Sequence, residues 1–282
     1  MLKPRVAILG HVSIDQNVTE HAQYTNWGST ALYIADYYQR NLGITPDIIT
    51  TYGPDFLPYS QAFRLHPLEP SAPSTALNKN HTREGKRIFH CHNAGVSTPP
   101  VLTSQAISLI GQADILIIAT LLPNYTVEYV RDVISHAPPR CLLVLTAQGY
   151  LRDVDERGLV HPRDFVEATT LLPLFDIVTL SDDDHPNALE ITQDWKKASP
   201  HTNIIVTEGP MGASVIEKDR SYNVPTVPVP PADILDSVGC GDVFSGALAY
   251  HYYATRRLRS SIRDAHLAAR SKLLETPSTP HA

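Results

Sequence analysis

The chain has 282 residues, 43% of them hydrophobic and 18% charged, with a formal net charge of −6. This length and composition exclude a disordered chain and leave room for one large α/β domain with a substantial core. The acidic balance provides no broad basic face, so no nucleic-acid partner is expected.

Short apolar runs alternate with longer helical patterns along the chain. Val6–Leu9 reads as a buried strand ending at Gly10. Thr30–Asn41 has helical spacing and stops at Gly43. Ile48–Thr51 is a strand, followed by the turn Tyr52-Gly53-Pro54-Asp55. Ile115–Ala119 is a strand and Thr126–Ser135 a helix. Leu142–Leu145, Ile177–Leu180 and Ile204–Thr207 are further strands, the last with Ala213–Glu217 as hairpin partner. From Gly241 to about Leu274 the pattern predicts two helices with a break near Arg259–Ser260, and Pro277–Ala282 reads as a frayed end. Uniformly apolar strands alternating with helices imply a three-layer α/β/α fold around a mostly parallel sheet.

Two stretches break this rhythm. Gln16–Asn26 is polar and aromatic. In Ser71–Asn93, the segments Ser74–Leu77 and Lys86–Cys91 alternate around a turn-like Asn80–Gly85. They read as excursions of about residues 12–27 and 71–95 that build a small β-sheet lid on the single domain spanning 1–282.

Cys91, Cys141 and Cys240 are far apart, with no C-x-x-C and no H-E-x-x-H elsewhere, so neither a zinc site nor a disulfide framework is expected. The cysteine usage suits a reducing compartment. No signal-like segment and no run of about 18 apolar residues is seen, so a cytoplasmic location without a membrane partner is expected.

The chemistry concentrates in Asp236-Ser237-Val238-Gly239-Cys240-Gly241-Asp242, directly before an apolar helical pattern. Two glycines at a helix start let a ligand approach the backbone. The first N–H groups of a helix lack intrahelical partners and, with the helix dipole, favour an anion such as phosphate. A carboxylate beside a bound phosphate can accept the proton of an attacking hydroxyl while those N–H groups stabilise the transferring group.

This string resembles the D-T-x-G-A-G-D signature of the ribokinase-like (PfkB) carbohydrate kinase family, with Ser237 for Thr and Cys240 for Ala. The resemblance implies Asp242 as catalytic base and Gly239, Cys240 and Gly241 as its anion hole. It covers nearly the whole chain. Val6 to Asp15 is similar to the family's first strand and its acidic residue, which implies that Asp15 binds substrate hydroxyls. Trp27-Gly28-Ser29-Thr30-Ala31 resembles the G-G-x-x-x-N segment and implies substrate contacts at Gly28 and Ser29. Trp27 replaces the first glycine and Leu32 the asparagine, which points to an altered or less polar pocket. Thr207-Glu208-Gly209-Pro210-Met211-Gly212 resembles the T-x-G-x-x-G nucleotide segment, so Thr207, Gly209, Gly212 and Ser237 are expected around ATP. Ser181-Asp182-Asp183-Asp184 lies where the family has N-x-x-E, implying Asp184 as a Mg²⁺ residue. Gln148 to Arg152 is similar to a segment of the cyclitol and sugar kinase branch, which implies Arg152 near the phosphates or the substrate.

The expectation is an ATP- and Mg²⁺-dependent kinase of a sugar, cyclitol or related polyol. A nucleoside kinase of the same fold remains open, since Tyr24, Trp27 and Tyr33 can stack on a base or pack the lid. A non-catalytic sugar- or nucleotide-binding regulatory module is the alternative of another class. A dehydrogenase is set aside because Gly10 to Asp15 lacks G-x-G-x-x-G. A homodimer through the lid is compatible with the family.

Overall fold

Along the parallel strands nearly every side chain is apolar and buried, because each strand is covered on both faces. This is plain in a computed structural model that describes residues 3–19, 23–83, 86–93, 98–217 and 220–276. The strands of the main sheet are β1 (Val6–Gly10), β4 (Asp47–Ile49), β5 (Arg64–His66), β8 (Ile115–Ala119), β9 (Leu142–Thr146), β12 (Ile177–Ser181), β13 (Asn203–Thr207), β14 (Ala213–Ile216) and β15 (Ser221–Val224). They lie in the order β15-β14-β13-β12-β9-β8-β1-β4-β5. Pairing is parallel from β13 to β5, while β14 and β15 form an antiparallel margin.

Successive side chains of a strand point to opposite faces, and two cores follow. Ile8, Ile48, Ile117, Val144 and Ile205 face α1 (Thr30–Tyr37), α7 (Cys240–Thr255) and α8 (Leu258–Leu273). Leu9, Ile49, Leu116, Leu145 and Val206 face the other way, with α3 (Ser104–Ile110), α4 (Val127–Ser135) and α6 (Ala188–Ala198). Two one-turn helices, α2 (Leu57–Ser60) and α5 (Ala168–Leu171), fill the margins. Each fully buried Ile or Leu contributes roughly 1.5–3 kcal/mol relative to exposure, so these layers hold the frame on which the loops sit.

The predicted layers and main strands are all present. The first helix continues as a widened turn over Tyr38–Leu42 and ends at Gly43 in the left-handed conformation, as expected. The break between the last two helices falls at Arg256–Arg257, not at Arg259–Ser260. Arg256 takes φ 53 and caps α7, which lets Leu258 turn inward and open α8. Residues 277–282 lie outside the described residues.

The lid is a four-stranded sheet in the order β3-β2-β6-β7, from β2 (Ser13–Val18), β3 (Gln23–Gly28), β6 (Ala76–Arg83) and β7 (Lys86–His92). β2 pairs with β6 in parallel, Asp15 opposite Asn78. Asn80, expected in a turn, is in mid-strand, because β6 is hydrogen-bonded on both sides and Asn80 itself is buried. The rest of that expected turn, Glu84 and Gly85, lies outside the described residues, as do residues 94–95 of the expected lid. The turn before β6 is structural: the Thr75 N–H and hydroxyl donate to Asp55 at 3.0 and 2.7 Å, and the Gly53 N–H donates to the Thr75 hydroxyl at 2.9 Å. A hairpin of β10 (Arg152–Val154) and β11 (Val160–Pro162) packs under β7, where the Cys91 N–H donates to Gly158 O at 2.7 Å. Among the described residues, no helix is long and apolar enough to cross a membrane.

Candidate active site

β9, β12 and β13 end side by side, and the loops leaving their carboxyl ends carry Gln148, Asp184 and Gly209. Ligands of open parallel sheets bind outside these ends. α7 starts over the same edge, so its N-terminus points into the space between the loops. A cavity of about 710 Å³ occupies this space.

One part of the cavity lining is the start of α7. Gly239 caps it in the left-handed region at φ 81, and a Cβ there would press into the Tyr33 ring at under 3.0 Å. Only glycine takes this conformation without strain. A Cβ on Gly241 would meet nothing within 4 Å, so this backbone is open to a ligand. Asp242 stands in the first turn of α7, half-buried, on the cavity wall. Cys240 is half-buried with its Sγ 3.9 Å from Asp236 O, and Ser237 is exposed on the cavity. Asp236 is buried and braces the loop: Oδ1 accepts from the Val238 N–H at 2.9 Å, Oδ2 accepts from the Tyr24 hydroxyl at 2.7 Å, and Lys272 Nζ lies 3.5 Å away.

The lining also has an apolar part, Val227, Ile234, Ala269 and Leu273, with the charged Arg270 beside Ala269. His266 lines it too. Burial holds its imidazole below the ordinary histidine range, against a hydrogen bond with Val224 O at 3.1 Å. Thr207 to Pro210 and Gly212 of the hairpin after β13 line the cavity as well. The Thr207 hydroxyl donates to Leu180 O at 3.3 Å. A Cβ on Gly209 would meet nothing within 4 Å, whereas Gly212, at φ 100, packs against Val224 and Pro225 and so shapes the hairpin. Asp184 lines the cavity, and its Oδ2 accepts from the Ser181 N–H at 2.8 Å in a reciprocal cap. No group of three or more His, Cys, Asp or Glu suited to a metal is present among the described residues. Mg²⁺ held chiefly by phosphates and water needs only one or two carboxylates, which the Asp184 position fits.

Asp15, Gly28 and Ser29 do not line this cavity; Asp15 and Gly28 are on the lid strands β2 and β3, and Ser29 follows them at the start of α1. Asp15 is 4% exposed. Its Oδ1 accepts from the Ser13 hydroxyl at 2.7 Å and Asn78 Nδ2 at 2.9 Å, and its Oδ2 from Asn80 Nδ2 at 3.4 Å. Desolvation pushes its carboxyl above the usual aspartate range, opposed by these bonds and by the Arg152 charge. Gly28 makes room for that carboxylate. Ser29 caps α1, its Oγ accepting the Leu32 N–H at 3.3 Å, at φ 105 and ψ 155, a region that favours glycine. Asn17 Nδ2 and Asn78 Oδ1 are buried in the same cluster without a hydrogen-bond partner.

Arg152 and Tyr33 bridge the two regions. The Arg152 guanidinium stacks on Phe89 of the lid, 4.7 Å from the ring centroid, and donates to Gln148 Oε1 at 2.9 Å. Gln148 Nε2 donates to Asp242 Oδ1 at 3.3 Å and to the Thr30 hydroxyl. Tyr33 is buried. Desolvation raises its phenol well above the ordinary value, and Asp15, Asp236 and Asp242 add to this.

Ten of the thirteen predicted site residues thus share one cavity, and the other three, Asp15, Gly28 and Ser29, are buried at the β2–β3 pair and the start of α1. Trp27 and Leu32 are core residues, Trp27 packing edge-on against Phe63 with ring centroids 5.1 Å apart. Sequence reasoning missed Gln148, Asn78, Asn80 and the Tyr24–Asp236 contact. Gln148 stood in a motif already singled out. Asn78 and Asn80 carried the i, i+2 spacing of one strand face.

A model of the pfkB family carbohydrate kinases matches residues 82–279. Among solved structures, the fold superposes with a TM-score of 0.77 at 16% identity on a pyrophosphate-dependent kinase of the ribokinase family complexed with a pyrophosphate analogue and myo-inositol, over 98% of this chain and 97% of that one. For Arabidopsis thaliana ribokinase complexed with ribose and ATP the TM-score is 0.71 at 14% identity, over 99% and 95%. For Thermotoga maritima ribokinase it is 0.72 at 13%, over 98% and 95%. At these identities the likeness is one of fold. No curated protein matches the chain significantly in sequence.

Proposed function

The chain belongs to the pfkB family of carbohydrate kinases, and on that premise we propose that it transfers the γ-phosphoryl group of ATP to a hydroxyl of a sugar, cyclitol or related polyol. The observation that carries this reading is the mixed lining of the cavity. It combines the start of α7 and the Asp242 carboxylate with apolar side chains against which a nucleoside can lie. A pyrophosphate donor has no use for those apolar side chains, which favours ATP although some structural neighbours use pyrophosphate.

In this reading the adenine lies against Val227, Ile234 and Leu273, and the ATP phosphates cross the Thr207–Gly212 hairpin to the Gly239–Gly241 amides. Asp184 is the residue that would hold the donor's Mg²⁺ through water, and the ion would offset phosphate charge. The acceptor sits under the lid, held by Asp15 with Asn78 and Asn80. The two unpartnered amide atoms of Asn17 and Asn78 suit hydroxyl groups, which both donate and accept. Asp242 takes the proton of the attacking hydroxyl as the phosphoryl group transfers, and the α7 amides stabilise the charge on its oxygens. Closure of the β2–β3–β6–β7 sheet excludes water from that step.

The test is product formation from ATP, with pyrophosphate as rival donor, over sugars, cyclitols and nucleosides. Asp242→Asn is expected to lower kcat by at least about 10² while donor affinity stays within about tenfold, since a general base acts in the transition state. Turnover with pyrophosphate alone would defeat the ATP assignment. Undiminished turnover of Asp242→Asn would remove Asp242 from the mechanism.

A further inference from the structure

One carboxamide joins the two halves of the site. Gln148 follows β9 and lines the cavity, half-buried. Its Oε1 accepts from Arg152 at 2.9 Å, and its Nε2 donates to Asp242 Oδ1 at 3.3 Å and to the Thr30 hydroxyl at the start of α1. The orientation of this amide follows from chemistry. A guanidinium only donates, so the oxygen must face Arg152, and an ionised carboxylate only accepts, so the NH₂ must face Asp242. Arg152 is fixed in turn by its stack on Phe89 of the lid.

We propose that Gln148 is a positioning residue for Asp242: its carboxamide, oriented by Arg152, holds the carboxylate at the angle from which it accepts the substrate proton. The inference rests on Asp242 being the base and goes beyond that assignment. Hydrogen bonds in series polarise one another, so the Arg152 charge reaches Asp242 through the amide without a direct ion pair. Because Arg152 stacks on a lid residue, opening of the lid would loosen Gln148 and with it the base. Asp242 is then well placed when the acceptor is enclosed. An error of about 1 Å in such placement can cost about 10² in rate.

Tyr33 of α1 faces Asp242, and the other charged or titratable groups lining the same cavity among the described residues are Arg152, Asp182, Asp183 and Asp184 after β12, Glu208 after β13, Cys240 at the start of α7, and His266 and Arg270 of α8. None of them changes in the two variants that test the proposal. Gln148→Met keeps the length and packing of the side chain and removes its polarity. Gln148→Glu keeps the shape and the Arg152 contact but sets a second carboxylate against Asp242. Kinetics would be followed with ATP as donor and myo-inositol, D-ribose and adenosine as acceptor probes, read on the one turned over fastest, beside an Asp242→Asn control.

Gln148→Met is expected to lose about 10- to 100-fold in kcat, with the ATP KM within about threefold. For Gln148→Glu, the acid limb of log(kcat/KM) should move up by about one pH unit, since a like charge disfavours ionisation of the base. Both variants should keep the wild-type Tm within a few degrees, and a purely structural side chain would not move the acid limb. Wild-type kcat and acid limb in both variants, beside an inactive Asp242→Asn, would overturn the relay alone. A rise in acceptor KM with kcat unchanged would make Gln148 a binding group and overturn it equally. An active Asp242→Asn would defeat the base assignment and this proposal together.

Discussion

Replacing Gly28 with alanine probes the β2–β3 pair around Asp15, where the acceptor is proposed to bind. The new Cβ would lie under 3.0 Å from Cγ and both oxygens of Asp15, so one of them must move. The carboxylate is not the loose end of a flexible chain. It is 4% exposed and accepts from Ser13, Asn78 and Asn80. Swinging it away breaks these bonds, at about 1–3 kcal/mol for each group left unpaired. Keeping it requires β3 to lift off β2 at the Ser13–Gly28 pair, and overpacking of this kind costs roughly 1–3 kcal/mol. A loss of about 3 kcal/mol is expected, which is roughly 6–12 °C in Tm at about 2–4 °C per kcal/mol. Thermal unfolding reads the loss. Steady-state kinetics should show the acceptor KM raised about tenfold or more and the ATP KM nearly unchanged, because Gly28 does not line the donor cavity. The decisive control is the same substitution in an Asp15→Ala background, where the obstructing atoms are gone and the cost should fall below about 1 kcal/mol. An equal cost in both backgrounds would refute the reasoning.

Three further outcomes follow from the same geometry. Tyr24→Phe removes a hydroxyl tying β3 to the Asp236 loop while Asp236 keeps Val238 and Lys272; ATP hydrolysis without acceptor should rise about five- to tenfold relative to transfer, and an unchanged ratio would dissociate the lid from the loop. His266 is harder to protonate folded than unfolded, so stability should rise with pH to about 6.5 and decline as pH falls below it; comparing urea unfolding of the wild type and His266→Gln from about pH 5 to about pH 8 should show that dependence weakened in the variant. Ser29 sits where glycine is at ease, so Ser29→Gly, which relieves about 1–3 kcal/mol of strain for a few tenths of lost cap, should prove more stable than Ser29→Ala, which keeps the strain and loses about 1 kcal/mol of cap; the reverse order in denaturant melts would refute the strain.

The parts of this protein legible in its sequence are those whose physics is local. β8, β12 and β13 are buried on both faces, so their apolar runs announce them. The string from Asp236 to Asp242 is contiguous, so one loop carries glycine freedom, helix N-terminus and carboxylate together, and the cavity forms around it. Trp27 and Leu32 show the limit. Both depart from the family pattern and read as an altered pocket, yet Trp27 packs on Phe63 and Leu32 on the helical core. A local pattern marks an unusual residue but not the side on which its neighbours lie.

What stayed hidden depends on pairing between distant segments. Asn78 and Asn80 meet Asp15 only because β6 runs parallel to β2, 63 and 65 residues away in the chain, and no turn chemistry encodes that register. Tyr24 and Asp236 are 212 residues apart, and Gln148 and Asp242 are 94 apart. The last two contacts share one architecture: each joins the first 90 residues or the β9 turn to the Asp236 loop or the start of α7. A kinase that wasted ATP on water would gain nothing from a good base alone; it needs the base aligned when the acceptor is enclosed. Tyr24 on the lid strand β3 and Arg152 against Phe89 are two places where lid position can reach the loop and helix that carry Asp242. Simultaneous loss of both contacts should therefore uncouple hydrolysis from transfer more than either loss alone. Strictly additive effects of Tyr24→Phe and Gln148→Met on that ratio would mean that the lid and the base are set independently.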